Sequence, residues 1–396
     1  MEADAALSGR WMRLPPLDGR VESIASLRAE CAPDLEAKLA CALGAVLGSV
    51  RVTFAASGRE ALRIALRALA AATGRDEVVL PAYTCWSVAA AAVAAGLRVR
   101  LVDVDERGRI ETDALPALER AACVVVCNLF GIAEPIARIA ERATAAGALV
   151  VDDAAQSFGA SGAAGAAGAR GALGVLSFGR GKPLQALGGG AVIEGRRGFD
   201  LPVQAPSAPR VSRTWLRAQA WNLALQPAVF AALSATPAFG VGETHFDPGF
   251  RRGPMAGDAL LLCAHALARF EARRQCRVAV AQSLARSLSR RTGFEPVLAE
   301  AGARASYPRL AALAPDRAAR DAAVLALGGV GVARLYPAPL DAIPSLRPHR
   351  ADPGAEFPGA RALSDRLLTL PTHGDLDGGR WRAALDVLAR ISETRQ

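Results

Sequence analysis

Apolar and polar residues alternate in blocks between residues 50 and 156, and this pattern predicts strands that alternate with helices. The predicted strands are 50–54, 77–81 and 98–105, together with the apolar runs 123–131 and 148–156. Helical periodicity is present in the segments between them, which are 59–72, 86–95, 113–120 and 134–146. The pattern therefore predicts an α/β fold with a mostly parallel sheet covered by helices on both faces. The carboxyl ends of parallel strands share one edge, where ligands commonly bind.

The pattern changes after residue 156. A Gly/Ala-rich loop is predicted at 159–174, and the short strands VLSF and GAVIEG are predicted before and after Lys182. A long helix is expected at 255–289. Beyond about residue 290, short strands such as VGVARLYP are expected, followed by a closing helix at 379–391.

These boundaries divide the chain into three expected parts. An N-terminal arm and helix occupy 1–44, a large α/β domain occupies 45–270, and a smaller α+β C-terminal domain occupies 271–396. The large domain contains an atypical insertion at 200–250. Within it, the apolar segment 215–239 is interrupted by Arg217, other polar residues and two prolines, so a buried or partner-facing helix is favoured over a membrane span. Contact with a membrane surface is the weaker alternative for this segment.

Composition is typical of a globular protein, since 52% of the 396 residues are hydrophobic and 21% are charged. The net charge of +9 comes from scattered arginines, without a basic run interleaved with aromatic residues. Nucleic-acid binding is therefore not expected, whereas a basic surface favours small anionic substrates. The seven cysteines form no CxxC motif and the N-terminus has no apolar signal core, so we expect a cytoplasmic protein with reduced thiols.

The most informative single residue is a lysine. Of the 47 basic residues only two are lysines, Lys38 and Lys182, and the others are arginines. Lys38 lies in a predicted helix surface, where arginine would serve equally well. Lys182 lies in SFGRGKPLQALGGG, between glycines and a proline, where no helix face explains it. A lysine amine can lose its proton and form an imine, which an arginine guanidinium does not, so Lys182 is a candidate for covalent chemistry.

Three further features follow predicted strands. Ser57 and Gly58 lie between a strand and a helix, where exposed N–H groups can bind an anion. Flat or polar side chains in PAYTCWSV, including Trp86, could stack on a planar heterocycle. The strand VVDD ends in Asp152 and Asp153, and a buried carboxylate there would need a cationic partner. An anion site, a stacking surface, an acid and an imine-forming lysine are the parts that a pyridoxal phosphate (PLP) site requires.

In these motifs the chain resembles the DegT/StrS-type nucleotide-sugar aminotransferases, which are fold type I PLP-dependent enzymes. The resemblance is carried by SGREAL, DEVVLPAYT, GLRVRLVDVD, VVDDAAQSFGA, LSFGRGK and LLTLPTH. These stretches cover residues 50–195 well and the C-terminal part thinly. The acid-x-x-Gln and Ser-Phe-x-x-x-Lys elements are the most specific.

The resemblance implies a role for each matching residue. Lys182 would form the Schiff base with the cofactor and transfer protons, and Asp153 would pair with the ring nitrogen. Gln156 would contact the phenolic edge of the ring. The phosphate would be held by Ser177 and by the backbone of Ser57, Gly58 and Arg59. The stacking position falls on Cys85 by strict count, and we expect the neighbouring Trp86 to fill it.

The chain also departs from the family pattern. Arg59 stands where the family usually has threonine, and Gly189 stands where it usually has an acid. The segment 250–257, FRRGPMAG, replaces an Asn-Tyr-Arg element that reaches the phosphate from the neighbouring subunit. The resemblance implies a homodimer, and these changes affect the expected substrate and subunit contacts more than the PLP site.

The favoured function is an aminotransferase that moves an amino group, with glutamate as the expected donor, to a nucleotide-linked keto-sugar. One alternative is another PLP reaction, such as elimination or dehydration, and a second is a non-catalytic binding protein with this fold. The four histidines lack metal-ligand spacing, so no metal site is expected. His245, His373, Arg334 and Tyr336 are further candidates to line a substrate pocket.

Overall fold

A computed structural model of the chain describes residues 20–21, 34–48, 50–195, 198–202, 206–234, 245–336, 338–373 and 378–393. Its central feature is a seven-stranded sheet in the order β1-β9-β8-β5-β4-β2-β3. These strands are β1 (Arg51–Ala55), β2 (Glu77–Pro81), β3 (Arg98–Val102), β4 (Ala121–Cys127), β5 (Leu149–Asp153), β8 (Leu173–Ser177) and β9 (Gly190–Glu194). All neighbouring pairs from β8 to β3 are parallel, and β9 is antiparallel to both β1 and β8. The predicted α/β fold with a mostly parallel sheet is confirmed.

Helices in the first two thirds of the chain are α1 (Leu35–Leu47), α2 (Gly58–Thr73), α3 (Trp86–Ala94), α4 (Ala137–Ala145), α5 (Val211–Ala224), α6 (Pro227–Ser234) and α7 (Gly257–Ala268). Strand β4, AACVVVC, is buried at every position, which its unbroken apolar run predicts. Helix α2 begins after Ser57, whose hydroxyl accepts a hydrogen bond from Glu60 N, and ends at Gly74 in a left-handed conformation. The small hairpin β6 (Ser161–Gly162) and β7 (Gly165–Ala166) lies in the predicted Gly/Ala-rich loop.

The C-terminal part contains a three-stranded antiparallel sheet in the order β10-β11-β12. Its elements are α8 (Phe270–Arg291), β10 (Glu295–Pro296), β11 (Arg309–Leu313), α9 (Arg317–Leu327), α10 (Pro358–Arg366), β12 (Leu367–Pro371) and α11 (Gly378–Glu393). One cluster of buried side chains joins residues of both sheets, for example Leu80 and Leu368. The three-part division at residues 44 and 270 therefore stays a prediction.

Three predicted elements differ from the structure. The helix expected at 113–120 is wrong: only a 3₁₀ turn forms, at Thr112–Ala114, because Pro116 would fall inside the helix. The long helix expected at 255–289 is two helices, α7 and α8, which meet at Arg269. The strand expected in VGVARLYP is reduced to one bridge between Ala333 and Thr369.

The atypical insertion contributes α5 and α6. Residues 203–205 and 235–244 of the region lie outside the described part of the chain. Leu216 and Leu223 on α5 are exposed, at 63% and 56% of their full surface. Among the described helices, none has the length and apolar character of a membrane-spanning segment.

Candidate active site

A cavity of about 440 Å³ opens at the carboxyl edge of the central sheet. Its volume lies within the ~300–1,000 Å³ that small-molecule sites usually occupy. Most of the residues predicted from the sequence line it: Ser57, Gly58, Arg59, Asp153, Gln156, Ser177 and Lys182. The ends of β1, β5 and β8 therefore bring residues from three separate sequence motifs into one site.

The start of α2 forms one wall of this cavity. A side chain at Gly58 would place its Cβ 2.5 Å from Cβ and 2.7 Å from Oγ of Ser177, so only glycine allows this approach. Gly190 is equally restricted, because a Cβ there would lie 2.6 Å from Gly58 N. The Ser177 hydroxyl thus lies beside the first N–H groups of a helix, an arrangement that suits an anion.

Asp153 lies at the carboxyl end of β5, where its carboxylate faces the cavity. Its Oδ1 accepts a hydrogen bond from Ala155 N at 2.9 Å. Burial raises the pKa of Asp153 from 3.8 to about 6, while the Ala155 N–H and the charge of Lys182 act to lower it. The site therefore holds a carboxylate that a further cationic group would stabilise in its charged form.

Asp152 has a different environment, although it is the adjacent residue. Its carboxylate is fully buried and forms an ion pair with Arg170 at 2.8 Å. It also accepts hydrogen bonds from Asn128 Nδ2 and Gly168 N. These bonds satisfy both of its oxygens and tie Gly168 and Arg170, in the loop before β8, to the end of β5. Asp152 does not line the cavity.

Lys182 lies in a turn after β8. Its backbone N–H donates to Gly179 O at 3.3 Å, and Gly181 has a φ of +73°, a conformation that favours glycine. The Gly181 N–H donates to Gln185 Oε1 at 2.8 Å, which fixes the turn. Among the described residues, Lys182 forms no ion pair within 4.0 Å, so its amine remains accessible to a ligand in the cavity.

Gln156 and Tyr336 meet on another side of the cavity. The Gln156 side chain accepts a hydrogen bond from Phe130 N and donates one to the Tyr336 hydroxyl. Tyr336 has a φ of +60° and is the only aromatic side chain among the described residues that line the cavity. Of the four additional pocket candidates, only Tyr336 lies in this lining. His245, His373 and Arg334 do not.

The expected stacking role of Trp86 is not supported by its position. Trp86 is absent from the cavity lining, and its indole Nε1 donates to Ala338 O at 2.9 Å. Cys85, which precedes α3, lines the cavity instead. Successive residues at a helix start project in directions about 100° apart, so a one-residue offset turns the side chain away.

The departures from the family pattern have structural counterparts. Arg59 lies 3.8 Å from Asp247 and its guanidinium lies 5.2 Å from the centre of the Phe250 ring. Gly189 has a φ of +89°, and a side chain there would lie 2.6 Å from Met255. Segment 250–257 therefore packs against the α2 end of the cavity within the same chain, where Gly253 O accepts a hydrogen bond from Ala56 N.

The sequence analysis did not single out Arg180 or Asn128, which also line the cavity. Asn128 follows β4. Its Nδ2 donates a hydrogen bond to Asp152, and its Oδ1 accepts one from Glu134 N at 2.8 Å. Arg180 lies two residues before Lys182, and its guanidinium lies 5.8 Å from the centre of the Trp221 ring on α5. The position of Asn128, a polar residue directly after a strand, could have identified it from the sequence. The contact of Arg180 depends on the insertion and has no local sequence signal.

Comparison with known proteins finds a related family over part of the chain. Residues 32–195 match the model of the DegT/DnrJ/EryC1/StrS aminotransferase family. A UDP-N-acetyl-3-dehydro-alpha-D-glucosamine 3-aminotransferase from Acidithiobacillus ferrooxidans is 33% identical over 144 residues. That match covers 35% of this chain and 38% of the relative. The chain thus matches well under half of that protein's length.

Two solved structures show the same fold over nearly the whole chain. One is a DegT DnrJ EryC1 StrS aminotransferase from Brucella abortus, with a TM-score of 0.69, 23% identity and coverage of 93% and 94% of the two chains. The other is the PLP form of Spr1654 from Streptococcus pneumoniae, with a TM-score of 0.72, 18% identity and coverage of 96% and 98%. These findings confirm the resemblance to the family over residues 32–195 and the PLP-transferase fold of the chain.

Proposed function

We propose that the protein is a PLP-dependent aminotransferase that moves an amino group from glutamate to the keto group of a nucleotide-linked sugar. One observation carries this proposal: Lys182, Asp153 and the start of α2 with Ser177 line a single cavity. The relative from Acidithiobacillus ferrooxidans is, by its name, an aminotransferase of a UDP-linked dehydro-sugar, which supports this class of acceptor. The basic charge of +9 is compatible with an anionic substrate.

The residues present fit PLP. The glycine-lined start of α2 and the Ser177 hydroxyl would hold the phosphate, because no side chain blocks the backbone N–H groups there. Asp153 would pair with the ring nitrogen, and this pairing would relieve the energetic cost of its buried charge. Gln156 and Tyr336 would contact the ring, while Lys182 would attach it covalently.

Bound PLP supplies an aldehyde and an electron-withdrawing ring that stabilises negative charge on the substrate carbon. The chain supplies the proton transfers and the orientation. Lys182 Nζ is the amine in the cavity that can accept a proton from one carbon and return it to another. Asp153, whose carboxylate is held in place by Ala155 N, would favour a protonated ring nitrogen through its negative charge.

We further propose a homodimer in the cytoplasm. The reduced cysteines expected from the sequence support the compartment: Cys41, Cys85, Cys123, Cys127, Cys263 and Cys276 are free thiols in the described part of the chain. The family resemblance supports the dimer. The in-chain position of segment 250–257 indicates that the phosphate end of the cavity is completed differently here.

The test is the visible absorption spectrum of protein loaded with PLP, recorded before and after addition of glutamate. We expect a band that disappears in Lys182→Ala and that glutamate bleaches, and a keto-sugar nucleotide should then restore it. Lys38→Ala is the matched control, because Lys38 forms only an exposed ion pair with Asp34. A band that no amino donor changes would favour elimination or dehydration. The absence of a Lys182-dependent band would favour a non-catalytic binding protein.

A further inference from the structure

Arg180 combines a place in the cavity with a contact to the atypical insertion. It lies in the turn that carries Lys182 and lines the cavity, and its side chain remains exposed. Its guanidinium lies 5.8 Å from the centre of the Trp221 ring on α5. The insertion therefore places the Trp221 ring where it can hold the Arg180 guanidinium at the mouth of the cavity.

The charge on Arg180 has no carboxylate partner within ion-pair distance among the described residues. Arg59, the other arginine of the cavity, lies 3.8 Å from Asp247. Among the described residues that line the cavity, Asp153 is the only one with a carboxylate, and the charge of Lys182 acts on it. Arg180 is therefore the cavity arginine that is free to neutralise an incoming anion.

Stacking on an indole suits this role. A guanidinium that lies over an aromatic ring keeps the N–H groups at its edge available, and these bind carboxylate or phosphate oxygens in pairs. The start of α2 and Ser177 form a separate anion site, already suited to the cofactor phosphate. A second anion site beside Lys182 thus fits the substrate better than the cofactor.

We propose that Arg180, positioned by Trp221, binds an anionic group of the incoming substrate and so determines specificity. This proposal rests on the proposed aminotransferase function. The anionic group is either the carboxylate of the amino donor or the diphosphate of the sugar nucleotide, which share the same recognition by a guanidinium. Trp221 acts through Arg180 and is a positioning residue.

The test is calorimetric titration of PLP-loaded protein with two probes, glutarate for the donor carboxylates and UDP for the diphosphate. We expect Arg180→Gln to weaken binding of one probe at least tenfold and Arg180→Lys to weaken it less, because lysine keeps the charge without the paired donors. Trp221→Leu should weaken the same probe about twofold to fivefold. The probe that responds identifies the source of the anion.

Two controls make the result specific. Trp215→Phe alters another tryptophan of α5, and Arg138→Gln removes an arginine whose side chain is 74% exposed and pairs with Asp113. Neither should change binding of glutarate or UDP. The proposal is overturned if Arg180→Gln leaves both probes unchanged, or if it weakens PLP itself by a similar factor, which would assign Arg180 to the cofactor. Failure of the aminotransferase proposal would instead appear as a wild-type spectrum that glutamate does not change.

Discussion

Asp152 and Arg170 form an ion pair whose side chains are 0% and 3% exposed, and this pair anchors the loop that follows the cavity carboxylate Asp153. Arg170 donates to both oxygens of Asp152 and also to Glu134 O and Asn128 Oδ1. Two adjacent acids therefore have separate tasks. Asp152 is satisfied entirely by the protein, whereas Asp153 has one protein donor and faces the cavity.

We predict that Arg170→Ala lowers the free energy of unfolding by about 3–5 kcal/mol, because it leaves a buried carboxylate without its cation. Urea unfolding of the cofactor-free protein measures this loss. Arg138→Ala is the control, since it breaks an exposed pair with Asp113, which is worth at most about 1 kcal/mol. A loss equal to that of the control would show that the Asp152 charge is compensated by its amide donors alone.

Asp153→Asn should stabilise the cofactor-free protein at pH 8. The pKa of Asp153 is raised from 3.8 to about 6, so folding above pH 6 must bury a charge that asparagine lacks. The shift of about two units corresponds to a gain of at most about 3 kcal/mol. The gain should shrink as the pH falls from 6 to 4 and vanish below 3.8, because the folded and unfolded carboxyl groups are then both protonated.

Thermal unfolding of wild type and Asp153→Asn between pH 3 and pH 8 measures this dependence. Asp113→Asn serves as the control for an exposed carboxylate and should show no comparable pH-dependent difference. A variant that is less stable than wild type at pH 8 would contradict the prediction. Asp153→Asn should also lose PLP affinity, so the stability of the cofactor-free protein and its affinity for PLP should change in opposite directions.

Much of the fold and of the cavity could be predicted from the sequence, because both depend on local patterns. Fully buried strands such as β4, AACVVVC, appear as unbroken apolar runs. The predicted bounds of β2 agree with the structure. The carboxyl ends of parallel strands share an edge, so Asp153 and Ser177 could be assigned to one site without coordinates. The glycines after Lys182 were predicted to let the backbone approach a ligand, and this stays a prediction; the structure shows that Gly190 closely approaches Gly58 N within the protein.

The remaining features depend on tertiary contacts or on the direction in which a side chain projects from its helix. Trp86 and Cys85 are adjacent, and only the geometry at the start of α3 decides which of them faces the cavity. Tyr336 reaches Gln156 from 180 residues further along the chain. Arg180 meets Trp221 only because α5 packs beside the cavity, and no periodicity in the sequence encodes that contact.

The placement of Trp86 leads to a prediction that separates it from Tyr336. Trp86→Phe should leave the dissociation constant of PLP within twofold of wild type, since Trp86 does not line the cavity. It should cost about 0.5–1.5 kcal/mol of stability, because the Ala338 carbonyl loses its indole donor. Tyr336→Leu should weaken PLP about threefold to tenfold through the loss of an aromatic contact. Titration of each apo-protein with PLP, followed by absorbance, measures the two dissociation constants, and urea unfolding measures the stability change. The reverse order of effects would return the stacking role to Trp86.

The contact between Gly58 and Ser177 gives the sharpest test of the proposed phosphate site. Gly58→Ala should destabilise the cofactor-free protein by about 1–3 kcal/mol, because its methyl group would lie 2.5 Å from Ser177 Cβ. Gly58→Ala combined with Ser177→Gly removes the clashing atoms, so the double variant should be more stable than the sum of the single changes. Its PLP affinity should stay low, since the Ser177 hydroxyl is gone. Gly328→Ala should cost no stability, because an added Cβ there would meet no atom of the described residues within 4 Å beyond its immediate neighbours along the chain. Additive losses of stability would show that Gly58 does not approach Ser177 this closely in solution.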